Sequence, residues 1–356
     1  RGAQYSESGF EFTWKAGATY TPSSDYTFRV TQSRDIRAPN LGDLFNAGRA
    51  GTGQVIDPFQ GGQVTPDVVT ADTGNPLLQP ERADTTGLGL VYSPSWLPGF
   101  TASVDYYRIN IKDAISILDT QDLIDGCFAG VTAFCDAGTR NGGGNLSNVT
   151  GNINFVAASP QNVLKQKTDG IDFEFGYNLP MDSIVSGWEG DLSIRGLANY
   201  VFHLTTTDTD PVTGAITKLE GAGVNPDGWA FGAGVGLGTP HFRWNTSMTY
   251  ALDQFSGTLT WRGTGAGKYR NDFVVCTTAC PTSTAAAPTI SSNSVEAVHY
   301  FDAAVNYKIM DDSITLYAVV QNLLNRDPPL ISANNQNGWY GGFDNDNYDR
   351  IGRMFR

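Results

Sequence analysis

The chain has 356 residues, of which 17% are charged and 12% aromatic, with 41 glycines and a net charge of -13. This charge argues against nucleic acid as a partner, because a phosphate backbone requires a basic surface. No run of about 18 apolar residues is present, so the sequence predicts no membrane-spanning helix.

Apolar and polar residues alternate strictly in the segment 170–177, which reads Gly-Ile-Asp-Phe-Glu-Phe-Gly-Tyr. Side chains of a strand point alternately to its two faces, so this segment has one aromatic face and one polar face. The pattern recurs along the chain. Strands with an apolar, aromatic face opposite a charged face are typical of a β-barrel in a lipid bilayer. The predicted fold class is therefore all-β, a transmembrane antiparallel β-barrel.

The apolar positions define about eleven predicted strands in chain order. They cover residues 10–20, 26–30, 88–92, 100–106, 171–177, 192–202, 244–250, 255–261, 301–307, 314–318 and a last strand starting near Tyr348. Tight turns alternate with long loops, which include residues 39–80, the segment ending near 167, and 205–240. This asymmetry is typical of outer-membrane barrels, whose short turns face the periplasm and whose long loops lie outside.

The alternation assigns the strand side chains to two faces. The predicted lipid-facing set includes Phe173, Phe175, Leu192, Ile194, Leu259, Trp261, Phe301 and Val305. The predicted lumen-lining set includes Asp105, Asp172, Glu174, Arg195, Asn199, Arg243, Arg262 and Asp302. Aromatic residues such as Tyr20, Tyr92, Phe100, Tyr177, Tyr250, Phe255 and Tyr307 lie beside the short turns, where a lipid-interface girdle is expected. The solvent-exposed face of a soluble β-sandwich would carry similar polar residues. The long loops therefore favour the barrel over the sandwich.

One strand changes phase. Its apolar set moves from positions 100–106 to Tyr107, Ile109 and Ile111, which leaves Arg108, Asn110 and Lys112 on the formerly apolar face. Two explanations are open: a bulge that shifts the register, or a strand that leaves the hydrocarbon so that its basic residues meet lipid phosphates. We favour the second, because the basic residues lie on the loop side.

The four cysteines form two local pairs. Cys127 and Cys135 bracket seven residues, and Cys276 and Cys280 bracket three, each pair within a long loop. Such pairs predict two loop disulfides in an oxidising compartment. Zinc is the alternative, but no histidine lies near either pair.

Four stretches resemble TonB-dependent outer-membrane receptors. Residues 34–45 resemble their R-A-P-N-L-x-E-L-F box, 75–81 their N-P-x-L-x-P-E box, 104–115 their V-D-Y-Y-x-I-x-I-x-D-x-I strand, and 320–325 their V-x-N-L-F-D strand. Tyr348 to Phe355 also resembles the start of their last strand. The first two boxes resemble those that flank the haem-ligating histidine of haem receptors, but no histidine lies between them here, which counts against that subclass.

The resemblance implies a barrel of 22 strands with a plug domain inside it. With about eleven strands and no secretory signal at Arg1, we expect a C-terminal barrel segment, 1–356, with no separate second domain. The plug and the segment that contacts TonB would lie outside this sequence. The implied partners are outer-membrane lipid and lipopolysaccharide, TonB, and a small solute such as a ferric siderophore or an oligosaccharide. The implied location is the outer membrane of a Gram-negative bacterium.

No catalytic or cofactor motif is present, so we expect neither an enzyme nor a bound cofactor. Asp344, Asp346 and Asp349 offer oxygen ligands at calcium-like spacing, although the Gly and Glu of an EF-hand loop are missing and a solvated acidic loop is the simpler interpretation. Candidate solute-binding residues are Trp339, Tyr340 and Phe343 in the last loop, and Tyr269, Arg270 and Asp272 before the second cysteine pair. Loop aromatics also serve packing, so both roles stay open for these six.

These features lead to one functional hypothesis and one alternative. The hypothesis is TonB-dependent uptake of a scarce solute, for which this segment supplies barrel wall and external loops. The alternative is a structural or adhesive surface β-protein that transports nothing.

Overall fold

A computed structural model describes residues 1–5, 9–118, 120–209, 216–225, 238–283, 289–310, 313–329, 348–349 and 351–356. Most of this part of the chain is β-structure. Within it, no helix has the length and apolar character needed to cross a membrane.

Twenty strands follow one another along the described chain. The first ten are β1 Gly2–Tyr5, β2 Gly9–Phe12, β3 Trp14–Ser23, β4 Tyr26–Arg37, β5 Arg49–Asp57, β6 Gln63–Asp72, β7 Glu81–Tyr92, β8 Phe100–Ile117, β9 Gly138–Arg140 and β10 Ile153–Ala158. The others are β11 Pro160–Pro180, β12 Asp191–Thr209, β13 Ile216–Glu220, β14 Phe242–Leu252, β15 Phe255–Thr264, β16 Val274–Val275, β17 Thr289–Ile290, β18 Val298–Ile309, β19 Ile314–Gln321 and β20 Met354–Phe355. The α-helices are α1 Leu41–Phe45, α2 Thr120–Phe128 and α3 Thr132–Cys135.

The main sheet is a continuous antiparallel wall. Its path is β3-β4-β7-β8-β11-β12-β14-β15-β18-β19-β20, with β13 added beside β12. Eleven strands therefore lie on this path, as the sequence predicted. Along this path, each of the two outermost strands, β3 and β20, pairs with one neighbour only, so the wall is open.

The register keeps the two predicted faces apart. Asp105 pairs with Asp172, Asp172 with Asn199 and Asn199 with Arg243, which puts all four on one face. One residue along, Val104 pairs with Phe173 on the opposite face. All eight predicted lumen-lining residues share the first face, and all eight predicted lipid-facing residues share the second. Half of the second set is exposed, namely Phe173 (38%), Leu259 (40%), Trp261 (41%) and Val305 (43%), and the other four residues are half-buried.

A second sheet is built from two long loops, one between β4 and β7 and the other between β8 and β11. Its order is β5-β6-β10-β9, and β6 and β10 run parallel although the sheet is otherwise antiparallel. Val68, Ile124, Leu146 and Val156 form its fully buried core. Our sequence analysis treated these segments as loops. The two loops bury apolar side chains against one another, so their strands depend on pairing between distant segments.

The last strand starts later than we predicted. Tyr348 is 5% exposed and belongs to a buried cluster with Val295, Val298 and Tyr300, and β20 begins only at Met354. A buried loop contact at Tyr348 thus replaces the expected strand start, and the prediction for this boundary was wrong.

The phase change in β8 occurs without a register shift, because the pairing with β11 is regular from Phe100 to Ile111 and shifts only beyond Ile111. β7 and β8 pair without interruption from Arg82 opposite Lys112 to Tyr92 opposite Ala102. Arg108, Asn110 and Lys112 therefore stay on the same face as Val104 and the other apolar residues. This excludes a bulge between β7 and β8 as the cause.

Candidate functional site

The polar face of the main sheet carries a network of paired side chains. Arg29 Nε donates to Asp105 Oδ1 at 2.8 Å, and a second nitrogen of Arg29 bonds the other Asp105 oxygen. Arg195 donates to Glu174 at 2.7 Å, and Asn199 donates to Asp172 at 2.6 Å. Most of the residues that we predicted to line a lumen thus contact another polar residue of that face.

Arg262 is the centre of a denser cluster on the same face. Its Nε donates to Asp302 at 2.7 Å, its guanidinium contacts Asp349 at 2.5 Å, and it lies 4.8 Å from the centre of the Tyr300 ring. Asp302 also accepts the backbone N–H of Asn322 at 2.7 Å. The cluster ties β15, β18, the end of β19 and the segment before β20 together.

The Arg262 cluster includes Asp349, one of the three predicted calcium ligands. The carboxylate of Asp349 is neutralised by Arg262, while Asp344 and Asp346 lie outside the described residues. Across the described part of the chain, no group of three or more His, Cys, Asp or Glu side chains is placed to hold a metal ion.

A polar pocket opens where the polar face meets the long loops. Its polar lining residues are Arg37, Asn40, Asp43, Asn46, Thr73, Ser116 and Gln166, and its apolar ones are Ile115, Ile117, Pro160 and Leu164. Arg37 lies on the same face as Arg29, eight residues along β4. The pocket therefore continues the polar face toward the loops, and sequence reasoning missed it because its residues come from distant segments.

Residues from the family-like stretches 34–45, 75–81 and 104–115 hold the walls of this pocket in place. Asn40 caps α1: its side chain accepts the N–H of Asp43 at 2.9 Å, and the Asp43 carboxylate accepts the N–H of Asn40 at 3.0 Å. Arg37 binds both Asp43, at 3.3 Å, and Glu81, at 2.6 Å. Glu81 also accepts the N–H of Ile115 at 2.8 Å. Residues of the first three boxes thus meet at one point.

Gly74, next to the second box, shows how closely these segments approach. A Cβ atom at this position would lie 2.5 Å from the backbone of Leu44 and Phe45. Only glycine allows the chain to run against the end of α1 in this way.

The loop residues proposed for solute binding fall into two groups. Arg270 donates to Asp272 at 2.8 Å and lies 5.0 Å from the ring of Phe273, and Tyr269 packs against the cluster around Tyr300. These contacts hold the loop itself together. Trp339, Tyr340 and Phe343 lie outside the described residues.

Both predicted disulfides are present in the structure. Cys127 joins Cys135 within the core of the second sheet, where the two residues are 4% and 6% exposed. Cys276 joins Cys280 in a more exposed loop. Each bond closes a local segment, so neither links different strands of the main sheet.

A sequence profile of the family described as TonB dependent receptor-like, beta-barrel matches residues 1–323. A comparison with curated proteins found no match. The fold is similar to that of the ferric enterobactin receptor PfeA of Pseudomonas aeruginosa, with 18% identity and a TM-score of 0.58 over 98% of this chain and 40% of that one.

Two further solved structures share the fold. The siderophore receptor PirA of Acinetobacter baumannii has 17% identity and a TM-score of 0.51 over 90% of this chain and 38% of that one. The FrpB iron transporter of Neisseria meningitidis has 14% identity and a TM-score of 0.51 over 97% and 38%. The chain spans about two fifths of the length of these receptors.

Barrels of this family lie in the outer membrane of Gram-negative bacteria, and the family consists of transporters rather than enzymes. The open antiparallel wall, its two faces and the family match over residues 1–323 agree on one assignment. The chain belongs to the TonB-dependent receptor family and forms part of its outer-membrane β-barrel.

Proposed function

We propose that this chain forms the lumen wall and part of the external binding surface of a receptor that takes up a scarce solute with energy relayed by TonB. The observation that carries the proposal is the polar pocket at the loop end of the polar face. It provides a place to bind a solute where the loops meet the wall, and the paired residues below it provide a hydrophilic surface toward the periplasm.

The chemistry of the pocket favours one class of solute. Arg37 is the basic residue of the pocket lining, and it already binds Glu81 and Asp43. The remaining polar groups are amides and hydroxyls, from Asn40, Asn46, Thr73, Ser116 and Gln166. Such groups bind neutral polar ligands by hydrogen bonds, while a strongly anionic ligand would meet the Asp43 carboxylate.

The proposed solute is a neutral ferric siderophore. Support for iron comes from the similar structures, which are named as a ferric enterobactin receptor, a siderophore receptor and an iron transporter. An oligosaccharide would use the same amides and hydroxyls, so it is the second candidate. Uptake of radiolabelled iron from a neutral ferric hydroxamate, an anionic ferric catecholate and a labelled oligosaccharide separates the classes.

The uptake assay is run with matched strains and variants. In cells that carry the intact receptor, deletion of tonB is expected to abolish uptake at limiting solute. Gln166→Trp should block the pocket and lower uptake at least tenfold, while Asn110→Trp, on the opposite face, should not. Uptake that persists without tonB, or equal uptake by both variants, would contradict the proposal and favour a structural or adhesive protein.

Trp339, Tyr340 and Phe343 remain proposed contributors to solute capture. Their flat rings lie among Gly338, Gly341 and Gly342 in the sequence, which suits stacking on a planar ligand. Replacing Trp339 and Tyr340 together with Ala should weaken solute affinity and leave barrel assembly intact. Unchanged affinity in a correctly assembled double variant would assign these residues to packing.

A further inference from the structure

An apolar stripe runs along the polar face of the main sheet and starts at the solute pocket. It consists of Tyr107, Ile109 and Ile111 of β8, and Ile115 and Ile117 continue it into the pocket lining. We propose that the apolar stripe binds a hydrocarbon chain of the solute. The preferred solute is then an amphiphilic ferric siderophore, which carries an acyl chain on a polar chelating head. This inference rests on the proposed function and narrows its chemical class.

The pairing register places the apolar stripe on the polar face. β8 pairs with both of its neighbours without a shift from Asp105 to Ile111. Tyr107, Ile109 and Ile111 therefore keep the phase of Asp105, which lies on the polar face. The hydroxyl of Tyr107 agrees with this placement, because it accepts a hydrogen bond from Asn199 of the same face at 3.4 Å. The phase change in β8 thus brings apolar side chains to the lumen side.

The residues beside the stripe are uncharged. They belong to β7 and β11 and are Ala83, Thr85, Gln166 and Thr168. Gln166 pairs with Ile111 and also lines the pocket, so the stripe enters the pocket at this point. Pocket and stripe therefore form one continuous surface, which is polar at the loop end and apolar along β8.

Such a stripe is unusual for a lumen wall, because side chains that face the interior of an outer-membrane barrel are mostly polar. Ile109 and Ile111 are half-buried, and Ile117 is 43% exposed. Covering their apolar surface removes it from water and is favourable in proportion to the area covered. An acyl chain provides this cover. The hydroxyl groups of an oligosaccharide would instead lose hydrogen bonds to water against it.

The dimensions suit a ligand with a polar head and a chain. The pocket has a volume of about 530 Å³, which is within the range of small-molecule sites. The stripe extends about 13 Å further along β8, from Ile111 to Tyr107. The Tyr107 side chain lies close to the wall, since a Cβ atom at Gly170 would be 2.6 Å from its hydroxyl oxygen. Beyond Tyr107 the face becomes charged again at Asp105, which accepts a bond from Arg29 at 2.8 Å.

The test uses two neutral ferric trihydroxamates that differ only in an octanoyl chain on the chelator. Their affinities for the intact receptor in lipid nanodiscs are measured with radiolabelled iron. Receptor-free nanodiscs correct for partition of the chain into lipid. Each methylene that leaves water contributes about fourfold to binding, so three or four covered methylenes predict about 100-fold tighter binding of the acylated chelate.

Two double variants locate the contact. Ile109→Thr with Ile111→Thr keeps branched side chains and removes apolar area from the stripe. It should lower the affinity for the acylated chelate at least tenfold and leave the affinity for the other chelate unchanged. Val91→Thr with Leu197→Thr is the control, because these residues lie on the polar face outside the pocket and should change neither affinity. Heat-modifiable migration in gels establishes that each barrel has assembled.

The outcomes separate this inference from the proposed function. Equal affinity of the parent receptor for both chelates would overturn the inference and leave the proposed function standing. An equal loss for both chelates in the Ile-to-Thr variant would also overturn it, because the stripe would then serve packing against another part of the receptor. Binding of neither chelate would contradict the proposed siderophore uptake itself, and the inference would fail with it.

Discussion

Arg37 and Glu81 form a two-bonded ion pair, with Nε to Oε2 at 2.7 Å and Nη2 to Oε1 at 2.6 Å, although they lie 44 residues apart in the chain. Glu81 is 13% exposed and also holds the N–H of Ile115. The pair connects the end of β4 to the start of β7, beside the loop that carries β5 and β6 of the second sheet. It therefore fixes the position of α1 and one side of the polar pocket.

Removing either member of this pair should loosen the base of the pocket. Arg37→Gln or Glu81→Gln is expected to cost about 1–2 kcal/mol, because the pair is bidentate but Arg37 is half exposed. A double-mutant cycle, read out by hydrogen exchange over residues 41–46 and 75–81, should give a coupling energy of about 1 kcal/mol. The exposed pair Arg195 and Glu174 is the control and should give a coupling near zero. Equal coupling energies for the two pairs would contradict the proposed role of Arg37 in holding the pocket.

The buried pair Asp57 and Arg140 should be essential to the second sheet. Both side chains are fully buried, and Arg140 Nη2 donates to Asp57 at 2.9 Å. Asp57→Asn leaves a buried guanidinium without its counter-charge, which is expected to cost about 3–5 kcal/mol. Hydrogen exchange should then rise across β5, β6, β9 and β10 but not across β11 and β12.

The double variant Asp57→Leu with Arg140→Met provides the control for this prediction. Removing both charges should restore much of the protection, because no uncompensated charge remains. Loss of protection in the main sheet, or no loss anywhere in Asp57→Asn, would contradict the assignment of this pair to the second sheet.

The two disulfides should differ in their accessibility to reductant. Cys127 and Cys135 are buried in an apolar core, whereas Cys276 is only half-buried and Cys280 is exposed. Mild dithiothreitol without denaturant, followed by alkylation and peptide mapping, should label Cys276 and Cys280 first. Replacing Cys127 and Cys135 with Ser should lower the stability of the second sheet by about 2–3 kcal/mol. First labelling of Cys127 and Cys135 would show that the core around them is open.

The lipid-facing face should reject a charge that the polar face accepts. Phe173→Arg is expected to destabilise the barrel by about 2–4 kcal/mol near the bilayer midplane, and Glu174→Arg by much less. Refolding of the intact receptor into lipid vesicles at increasing urea concentration measures both. A larger loss of stability in Glu174→Arg than in Phe173→Arg would contradict the assignment of the lipid-facing and polar faces.

The sequence predicted the wall well because its strands alternate strictly. Ile171, Phe173 and Phe175 lie between Asp172 and Glu174, and a one-residue slip would turn every one of these side chains to the wrong face. The pattern therefore specifies both the strand and its register. Ten of the eleven strands on the main path follow from such local signals, while β20 starts later than the sequence predicted.

The second sheet and the pocket carried no comparable signal. Val68 and Val156 lie in two strands that pair in parallel although they are more than eighty residues apart in the sequence. Neither strand has a regular alternation of apolar and polar residues. Arg37, Asn40 and Glu81 stand in recognisable boxes, but only the structure shows that they meet. Hydrophobic periodicity predicts individual strands, and it carries no information about contacts between distant loops.

Quenching of a fluorophore attached at position 173 or 174 tests the two-faced wall most directly. All four native cysteines are in disulfides, so a single added cysteine can be labelled without reduction. With the intact receptor in lipid vesicles, brominated lipid should quench the probe at 173 and spare the probe at 174, while a water-soluble quencher should do the reverse. Lipid quenching at 174 but not at 173 would contradict the assignment of lipid and lumen faces.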